Sequence, residues 1–284
     1  MLIPATAGSW TPAAGSGASG RNRVVAAAEI SAVAGPGGVT RLPVLASQVP
    51  LVLRRTPEAV YLVGGAAGPL GGDSLTLRIT VGPGAFLRVR TAAAAIALPG
   101  LDGHESELRV CVSVGPGGRL EYLPEPVVAS AGARHATVTS VSLAAGASLV
   151  LRDEVLLGRH GEAGGTVRTV LRADYDGRPL LRHAIEVSGS DAVSRGPALL
   201  AGHRAFGTLL LAGAAADERT LLLADAAGPA DEAWARDGTG RAGGTGPAPE
   251  AAVLPLAGPG ALVTALAGDA VTLRRRLHAA WPDG

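Results

Sequence analysis

The chain has 284 residues, of which 47% are hydrophobic and only 3% aromatic, so a sizeable core is possible and must consist mainly of valine, leucine and alanine. Its formal net charge is +1, which argues against a general nucleic-acid surface. All 25 basic residues are arginine, which excludes a lysine nucleophile, a Schiff base and a phosphate-loop lysine.

Cysteine content and the absence of targeting segments indicate the compartment. The single cysteine, Cys111, excludes an internal disulfide and a thiolate cluster. Residues 1–10 lack the basic and apolar regions of a secretory signal, and no run of about 20 apolar residues occurs. We therefore expect a cytoplasmic protein with neither a membrane segment nor a nucleic-acid partner. Residues 1–21, rich in glycine, serine, alanine and proline, are predicted to be flexible.

Alternating apolar and polar residues predict β-strands from Arg23 onward. Residues 24–45 predict two strands joined by the turn at 35–38, and residues 49–65 predict a second pair. Both pairs are bounded by glycine or proline, as is typical of short strands.

An internal repeat follows the first strands. Each copy contains an alternating strand, a glycine turn and a second alternating strand, and the copies are residues 77–90, 108–123 and 139–155. They align on Gly84, Gly117 and Gly146, where a reversal within two or three residues requires a positive φ. The unequal spacing of the copies favours a repeated β-arcade or sandwich layer over a strict solenoid.

The C-terminal half is less regular. Asp176-Gly177 is a strong hairpin signal within residues 167–187. The remaining predicted segments are strands at 198–216 and 219–225 (or a partial helix at 198–206), a loop at 226–250 with one helical turn near Trp234, and a last strand at 261–267.

A C-terminal helix is predicted at about residues 269–281. Asp269 suits the N-cap, and the arginines near the other end complement the helix dipole. Val271, Leu273 and Leu277 are predicted to form its buried face. The complete prediction is a mainly β protein: a multi-stranded β-sandwich or arcade in a single domain, residues 22–282, with this helix at its end.

Common enzyme signatures do not occur in the sequence. We find no phosphate loop, no G-x-S-x-G elbow, no H-E-x-x-H and no C-x-x-C. The six histidines are scattered singly, and His160, between glycine-containing turns, is the best of several weak candidates for a metal ligand. The residues alone therefore favour an interaction protein over an enzyme. The proline-bounded segment 121–126 favours a protein contact over an active site, because prolines remove amide donors and suit an edge or a docking surface.

Acidic residues are the remaining candidates for chemistry. Asp73 follows two glycines at the start of a strand, where it either caps backbone amides or faces a partner. Glu162, between Gly161 and further glycines, is either a solvated turn residue or a functional acid.

Asp153 and Glu154 are adjacent in a predicted strand, so one carboxylate lies on each face of the sheet. At least one of them therefore points inward or toward another chain and needs an arginine or amide partner. Arg152 and Arg159 are the nearest candidates in sequence.

The order of these features resembles the UreD (UreH) family of urease accessory proteins. The resemblance covers residues 22–282 and rests on Gly71-Gly72-Asp73-x-Leu75, the VGPGAxLxVxTxAAA run through Thr91, Leu120-Glu121-Tyr122-Leu123-Pro124, Leu156-Leu157-Gly158-Arg159-x-Gly161-Glu162, the 176–181 hairpin and the arginine-rich end at Trp281. Two places depart from the family pattern: residues 93–97 (including Ala95 and Ala97), where many members carry a lysine and an aromatic residue, and Glu125-Pro126, where many carry Gln-Asp.

This resemblance implies a urease maturation factor that is not an enzyme. It would bind the urease structural subunits and recruit UreF and the GTPase UreG, with the C-terminal helix as a docking candidate. It implies no tightly bound cofactor, but nickel in transit. The positions expected to contact partners or line a nickel passage are Gly72, Asp73, Thr91, Asp153, Arg159, Gly161 and Glu162, with Asp73, His160 and Glu162 as weak metal candidates.

The residues leave one alternative from another functional class. A carbohydrate- or small-ligand-binding sandwich, or a hydrolase that pairs Asp73 with Asp153 or Glu162, would also use inward acids. The three tryptophans lie outside the strand repeats, which counts against a sugar site.

Overall fold

The computed structural model describes residues 23–216, 251–279 and 281, and these form two β-sheets packed face to face. Numbered in chain order, the strands of the seven-stranded sheet (sheet A) are β1 (Val25–Ala34), β2 (Thr40–Ala46), β5 (Ser74–Val81), β8 (Ser106–Val114), β11 (Arg134–Leu143), β13 (Thr166–Tyr175) and β14 (Arg178–Ser188). The predictions for residues 1–21, 219–225 and 226–250 lie outside the described residues, and the extent of the single domain stays a prediction.

The second sheet (sheet B) has ten strands. They are β3 (Leu51–Arg55), β4 (Val60–Gly64), β6 (Phe86–Thr91), β7 (Ala95–Ala97), β9 (Arg119–Leu123), β10 (Val127–Ala129), β12 (Ser148–Leu157), β15 (Ala205–Gly213), β16 (Ala251–Pro255) and β17 (Gly260–Ala267). The described residues also form a 3₁₀ turn at Pro36–Gly38 and two α-helices, α1 (Ala192–Arg195) and α2 (Ala270–His278). The mainly β prediction with a C-terminal helix is confirmed.

The three predicted repeats stack as an arcade. In each copy the first strand belongs to sheet A and the second to sheet B, so the glycine turn carries the chain from one sheet to the other. Strands of successive copies then pair in parallel: β5 with β8 and β8 with β11 in sheet A, and β6 with β9 and β9 with β12 in sheet B. These turns are therefore arches between the two sheets and not the tight strand reversals that the sequence predicts. The predicted positive φ is present, since Gly84, Gly117 and Gly146 have φ of 64°, 63° and 75°.

Antiparallel pairs close the ends of the arcade. β1 pairs with β2, and β3 with β4, as the sequence predicts. β13 and β14 form the predicted hairpin, in which Asp176 and Gly177 have φ of 50° and 71°, as a type I′ turn requires. The alternative of a helix at 198–206 is wrong, because β15 begins at Ala205 and the short helix α1 lies earlier in the chain.

The main core lies between the sheets. Inward residues of the repeats fill it, and the largest fully buried ones include Ile30, Leu77, Ile79, Leu120 and Leu149. Few aromatic side chains contribute, so the two sheets are held apart by aliphatic side chains in alternate positions along each strand.

A second core lies on the outer face of sheet B beneath α2. Asp269 is the N-cap, since its carboxylate accepts a hydrogen bond from the Thr272 amide at 2.9 Å. Leu273 and Leu277 are fully buried against this face, whereas Val271 is 78% exposed, so its predicted place on the inner face is wrong. No helix in residues 23–216 and 251–279 is long and apolar enough to cross a membrane.

Candidate functional site

Polar side chains interrupt the apolar interior between the sheets. Thr137 and Thr169 are neighbours on β11 and β13 of sheet A, while Asp153, Thr208 and Thr264 are register partners across β12, β15 and β17 of sheet B. We call these five residues the interior belt. Because side chains on one face of a sheet align across strands, the belt places hydroxyl and carboxylate oxygens at one level of the sandwich.

Two cavities meet at the belt. The larger has a volume of about 520 Å³ and lies between sheet A residues such as His135 and Thr137 and sheet B residues such as Leu151 and Asp153. The smaller, of about 280 Å³, is lined by Asp153 together with Thr169, Thr208, Thr264 and the loop before β15. Asp153 is the belt residue that lines both cavities, so its carboxylate stands between them.

Asp153 is enclosed by protein yet keeps some accessible surface, because its side chain faces the cavities. Burial, with a smaller contribution from neighbouring Glu154, raises the pKa of Asp153 to about 6. Among residues 23–216 and 251–279 no arginine forms an ion pair with Asp153, and the adjacent Arg152 bonds instead to the carbonyl of Pro124 at 2.8 Å. The carboxylate therefore changes charge close to neutral pH.

His135 lines the larger cavity as a neutral imidazole. Burial lowers its pKa to about 4. Both ring nitrogens have partners: Nδ1 lies 2.9 Å from the Ser106 hydroxyl and Nε2 lies 3.3 Å from the Thr137 hydroxyl. It therefore contributes a fixed polar surface to the cavity wall and offers no free nitrogen.

Two stretches of small, uncharged residues lie at the mouth of the larger cavity. These are residues 64–69 and 92–96, and Ala66, Ala67 and Ala94 among them are exposed. Thr91, a predicted site residue, lies at this mouth, where its hydroxyl accepts a hydrogen bond from the Glu125 amide at 2.7 Å. The two departures from the family pattern, residues 93–97 and Glu125-Pro126, thus flank the same opening.

Asp73 holds a turn together from within. It is 4% exposed, and its two carboxylate oxygens accept hydrogen bonds from the amides of Val24 and Leu70, each at 2.9 Å. Gly72 has φ of 96°, which favours glycine, and it brings the chain into β5. The structure thus places Gly72 and Asp73 in a buried backbone cap, and neither lines either of the two cavities.

Replacing Asp73 with alanine should lower the free energy of unfolding by about 2–4 kcal/mol, because two backbone amides lose their acceptor in a buried place. Urea denaturation would measure the loss. Asp102→Ala, in an exposed turn, is the matched control and should change stability by less than about 0.5 kcal/mol. Equal stability of the two variants would contradict the structural role.

Arg159, Gly161 and Glu162 form a loop of their own after β12. The Glu162 carboxylate accepts hydrogen bonds from the Arg159 amide at 3.0 Å and from its guanidinium at 2.8 and 2.9 Å, and these bonds lower the pKa of Glu162 to about 2. Gly161 has φ of 70°, and His160 is exposed between them. Arg159 also lines the larger cavity, so this rigid loop stands beside it.

The predicted acids do not assemble a metal cage. Within residues 23–216 and 251–279, no three histidine, cysteine, aspartate or glutamate side chains converge as potential ligands, and this includes Asp73, His160 and Glu162.

On the opposite face of β12, Glu154 is fully buried under α2. Arg274 of the helix reaches it at 2.7 Å and also bonds to both oxygens of Glu125 at 2.9 Å. Burial opposes ionisation of Arg274, but the two carboxylates raise its pKa above the ordinary value. Arg152 adds a weaker contact, with its Nε 3.4 Å from Glu154 and without a hydrogen bond. The main partner of Glu154 is therefore Arg274, whereas Arg159, the other arginine considered from the sequence, pairs with Glu162.

Arg152 also connects strand and helix through His278. Its guanidinium donates to His278 Nε2 at 2.9 Å, so the imidazole accepts and is neutral. Burial and the nearby cations Arg152, Arg274 and Arg90 lower the pKa of His278. The two adjacent acids of β12 thus have different surroundings: Asp153 faces the cavities and has no ion-pair partner in the described part of the chain, whereas Glu154 lies in a set of ion pairs.

Sequence reasoning missed the threonines of the interior belt and the role of Arg274. The threonines could have been found from their inward positions in otherwise apolar alternating strands. Arg274 could not, because it lies 120 residues from Glu154 and 149 from Glu125.

Comparison with known proteins identifies the family. A model of the UreD urease accessory protein family matches residues 25–282. The chain belongs to the UreD family. It is 41% identical to the urease accessory protein UreD of Frankia casuarinae over 315 aligned positions, which cover 98% of this chain and 95% of that protein.

Other relatives agree. The identity is 44% to urease accessory protein UreD 3 of Streptomyces griseus, over 85% of this chain and 89% of the relative, and 40% to UreD of Streptomyces coelicolor, over 90% and 95%. The resemblance that the sequence motifs indicated is therefore confirmed, and family membership implies a role in urease maturation.

Proposed function

We propose that this protein is a non-enzymatic scaffold that passes nickel to the urease active site through the space between its two sheets. The observation that carries the proposal is Asp153, whose carboxylate lines both interior cavities. The name of the family supplies urease as the recipient. Nickel is cargo here and not a resident cofactor.

The donors of the interior suit a divalent cation in transit. Oxygen ligands bind nickel, but one carboxylate with threonine hydroxyls is too small a set to hold it tightly. Near neutral pH the Asp153 carboxylate is largely ionised, since its pKa is about 6, and it attracts a cation into an otherwise apolar space. His135 is hydrogen-bonded at both nitrogens and does not compete for the ion.

The proposed partners are the urease structural subunits, UreF and the GTPase UreG. A scaffold needs a surface where a partner can seal the passage from water, and the uncharged rim at residues 64–69 and 92–96 has the composition of such a surface. Energy from nucleotide hydrolysis is assigned to UreG, because this chain has no phosphate-loop motif.

The test is co-expression of this chain with the urease subunits, UreF and UreG. Asp153→Asn keeps the size of the side chain and removes its charge, so we expect urease nickel content and activity to fall by at least about tenfold while co-purification is unchanged. Asp102→Asn makes the same chemical change in an exposed turn and should behave as the wild type.

Each result has a distinct meaning. Full nickel loading of urease with Asp153→Asn would refute the passage while leaving family membership intact. Loss of co-purification with the wild-type chain would refute the scaffold role.

The alternative of a carboxylate-pair hydrolase finds no supporting geometry. Both oxygens of Asp73 bond to backbone amides, and Glu162 is held by Arg159, so neither presents a free carboxylate to pair with Asp153.

A further inference from the structure

β14 forms an open edge of sheet A. Within the described residues β13 is the only strand that pairs with it, so one side of its backbone has no strand partner. An unpaired strand edge is a template for another strand, and proteins usually protect such edges with proline, charge or short length.

The other terminal strands in the order of the two sheets carry that protection. β2 contains Pro43, β3 has five residues and ends in Arg54 and Arg55, and β16 has five residues and ends at Pro255. β14 begins with Arg178 and Pro179, but it has 11 residues, against seven in β2 and five each in β3 and β16, and residues 180–188 run without proline or glycine. This edge is therefore the one best suited to accept a strand.

The sequence of β14 is complementary to itself. If two copies pair in antiparallel orientation about Ala184, Arg182 of each lies opposite Glu186 of the other. The side chains of Arg182, Ala184 and Glu186 are exposed on one face of the strand. On the other face the same register places His183 opposite Ile185, so no like charges meet.

The charged groups are available for this pairing. Arg182 donates to the carbonyls of Ala173 and Leu181 at 2.8 Å and to Asp174, which orients its guanidinium while leaving further N–H groups. Glu186 makes no ion pair within the described part of the chain, and Arg168, its register partner on β13, is bonded to Glu105 at 2.9 Å.

We propose that β14 is a self-association surface, at which two copies of this chain pair edge to edge about a two-fold axis at Ala184. Such an interface is isologous, since each copy contributes the same strand. One strand pair buries less than the roughly 1,600 Å² of a standard interface, so the dimer is expected to depend on concentration. The proposal is independent of the nickel passage.

Sedimentation velocity over a range of concentrations tests this surface. We expect the wild-type chain to shift from monomer to dimer as its concentration rises. Glu186→Arg places Arg182 opposite an arginine at both ends of the pair and should weaken the dimer by about tenfold or more. The double variant Arg182→Glu with Glu186→Arg restores opposite charges and should recover most of the association.

The control is Glu29→Arg, the same charge change on β1, away from the β14 edge; it should leave association unchanged. Circular dichroism of each variant checks the fold. A wild-type chain that stays monomeric throughout, or a dimer that Glu186→Arg does not weaken, would overturn the proposal.

Discussion

Replacing Asp153 with asparagine should raise the free energy of unfolding at neutral pH by about 1–3 kcal/mol. The protein becomes more stable because the substitution removes a buried negative charge. The native pKa of about 6 exceeds the ordinary value of 3.8 because burial disfavours the charged form. The unfolded chain therefore releases this proton more readily than the folded one, and ionisation destabilises the fold.

The pH dependence makes this prediction specific. Below the unfolded pKa of 3.8 both states are protonated and no penalty exists; the stability is lost as pH rises through about 6. The difference between Asp153→Asn and the wild type should thus be small near pH 4 and largest above pH 6, as measured by urea denaturation. Asp102→Asn, in an exposed turn, is the control. A difference between Asp153→Asn and the wild type that is constant at all pH values would contradict the explanation.

Together with the loss of nickel loading expected for the same variant, this result would explain why an unpaired acid remains inside an apolar sandwich. A residue that destabilises the fold and can be removed without harm to folding is retained for another reason. In the function proposed above, passage of a cation is that reason.

Replacing Arg274 with methionine should lower the free energy of unfolding by about 3–5 kcal/mol. The change leaves Glu154, whose side chain is 0% exposed, with only the 3.4 Å contact to Arg152, and it removes the bidentate bond to Glu125. Because Arg274 belongs to α2, we also expect the helix to become the first site of proteolysis.

Arg275→Met is the matched control on the next residue of α2. Arg275 is exposed and makes a 3.4 Å contact with Thr272, so its loss should change stability by less than about 0.5 kcal/mol. A second variant separates charge from packing: adding Glu154→Gln to Arg274→Met should recover part of the loss, since no buried carboxylate then remains without its main partner. Equal stability of Arg274→Met and Arg275→Met would show that the ion pairs add nothing.

Local physics explains what could be predicted about the fold. Strand alternation, turns with positive φ and helix N-caps each depend on a few neighbouring residues. The sequence could therefore predict the repeats, the Asp176-Gly177 hairpin and the Asp269 cap. The error at Val271 has a local cause too. Leu273 and Leu277 are one turn apart and define the buried face, and Val271, two residues before Leu273, lies about 200° around the helix from it.

The candidate site depended on contacts that local patterns do not contain. The sequence alone placed one acid of the Asp153–Glu154 pair on each face of a strand, but not which face was the interior or what stood there. The surroundings of the two acids depend on distant segments. Pairing of β12, β15 and β17 brings Thr208 and Thr264 beside Asp153, and packing of α2 on the opposite face brings Arg274 to Glu154, 120 residues away in sequence. Strand periodicity is a property of the backbone and can be read locally, whereas the surroundings of a buried charge depend on which distant segments pack against it.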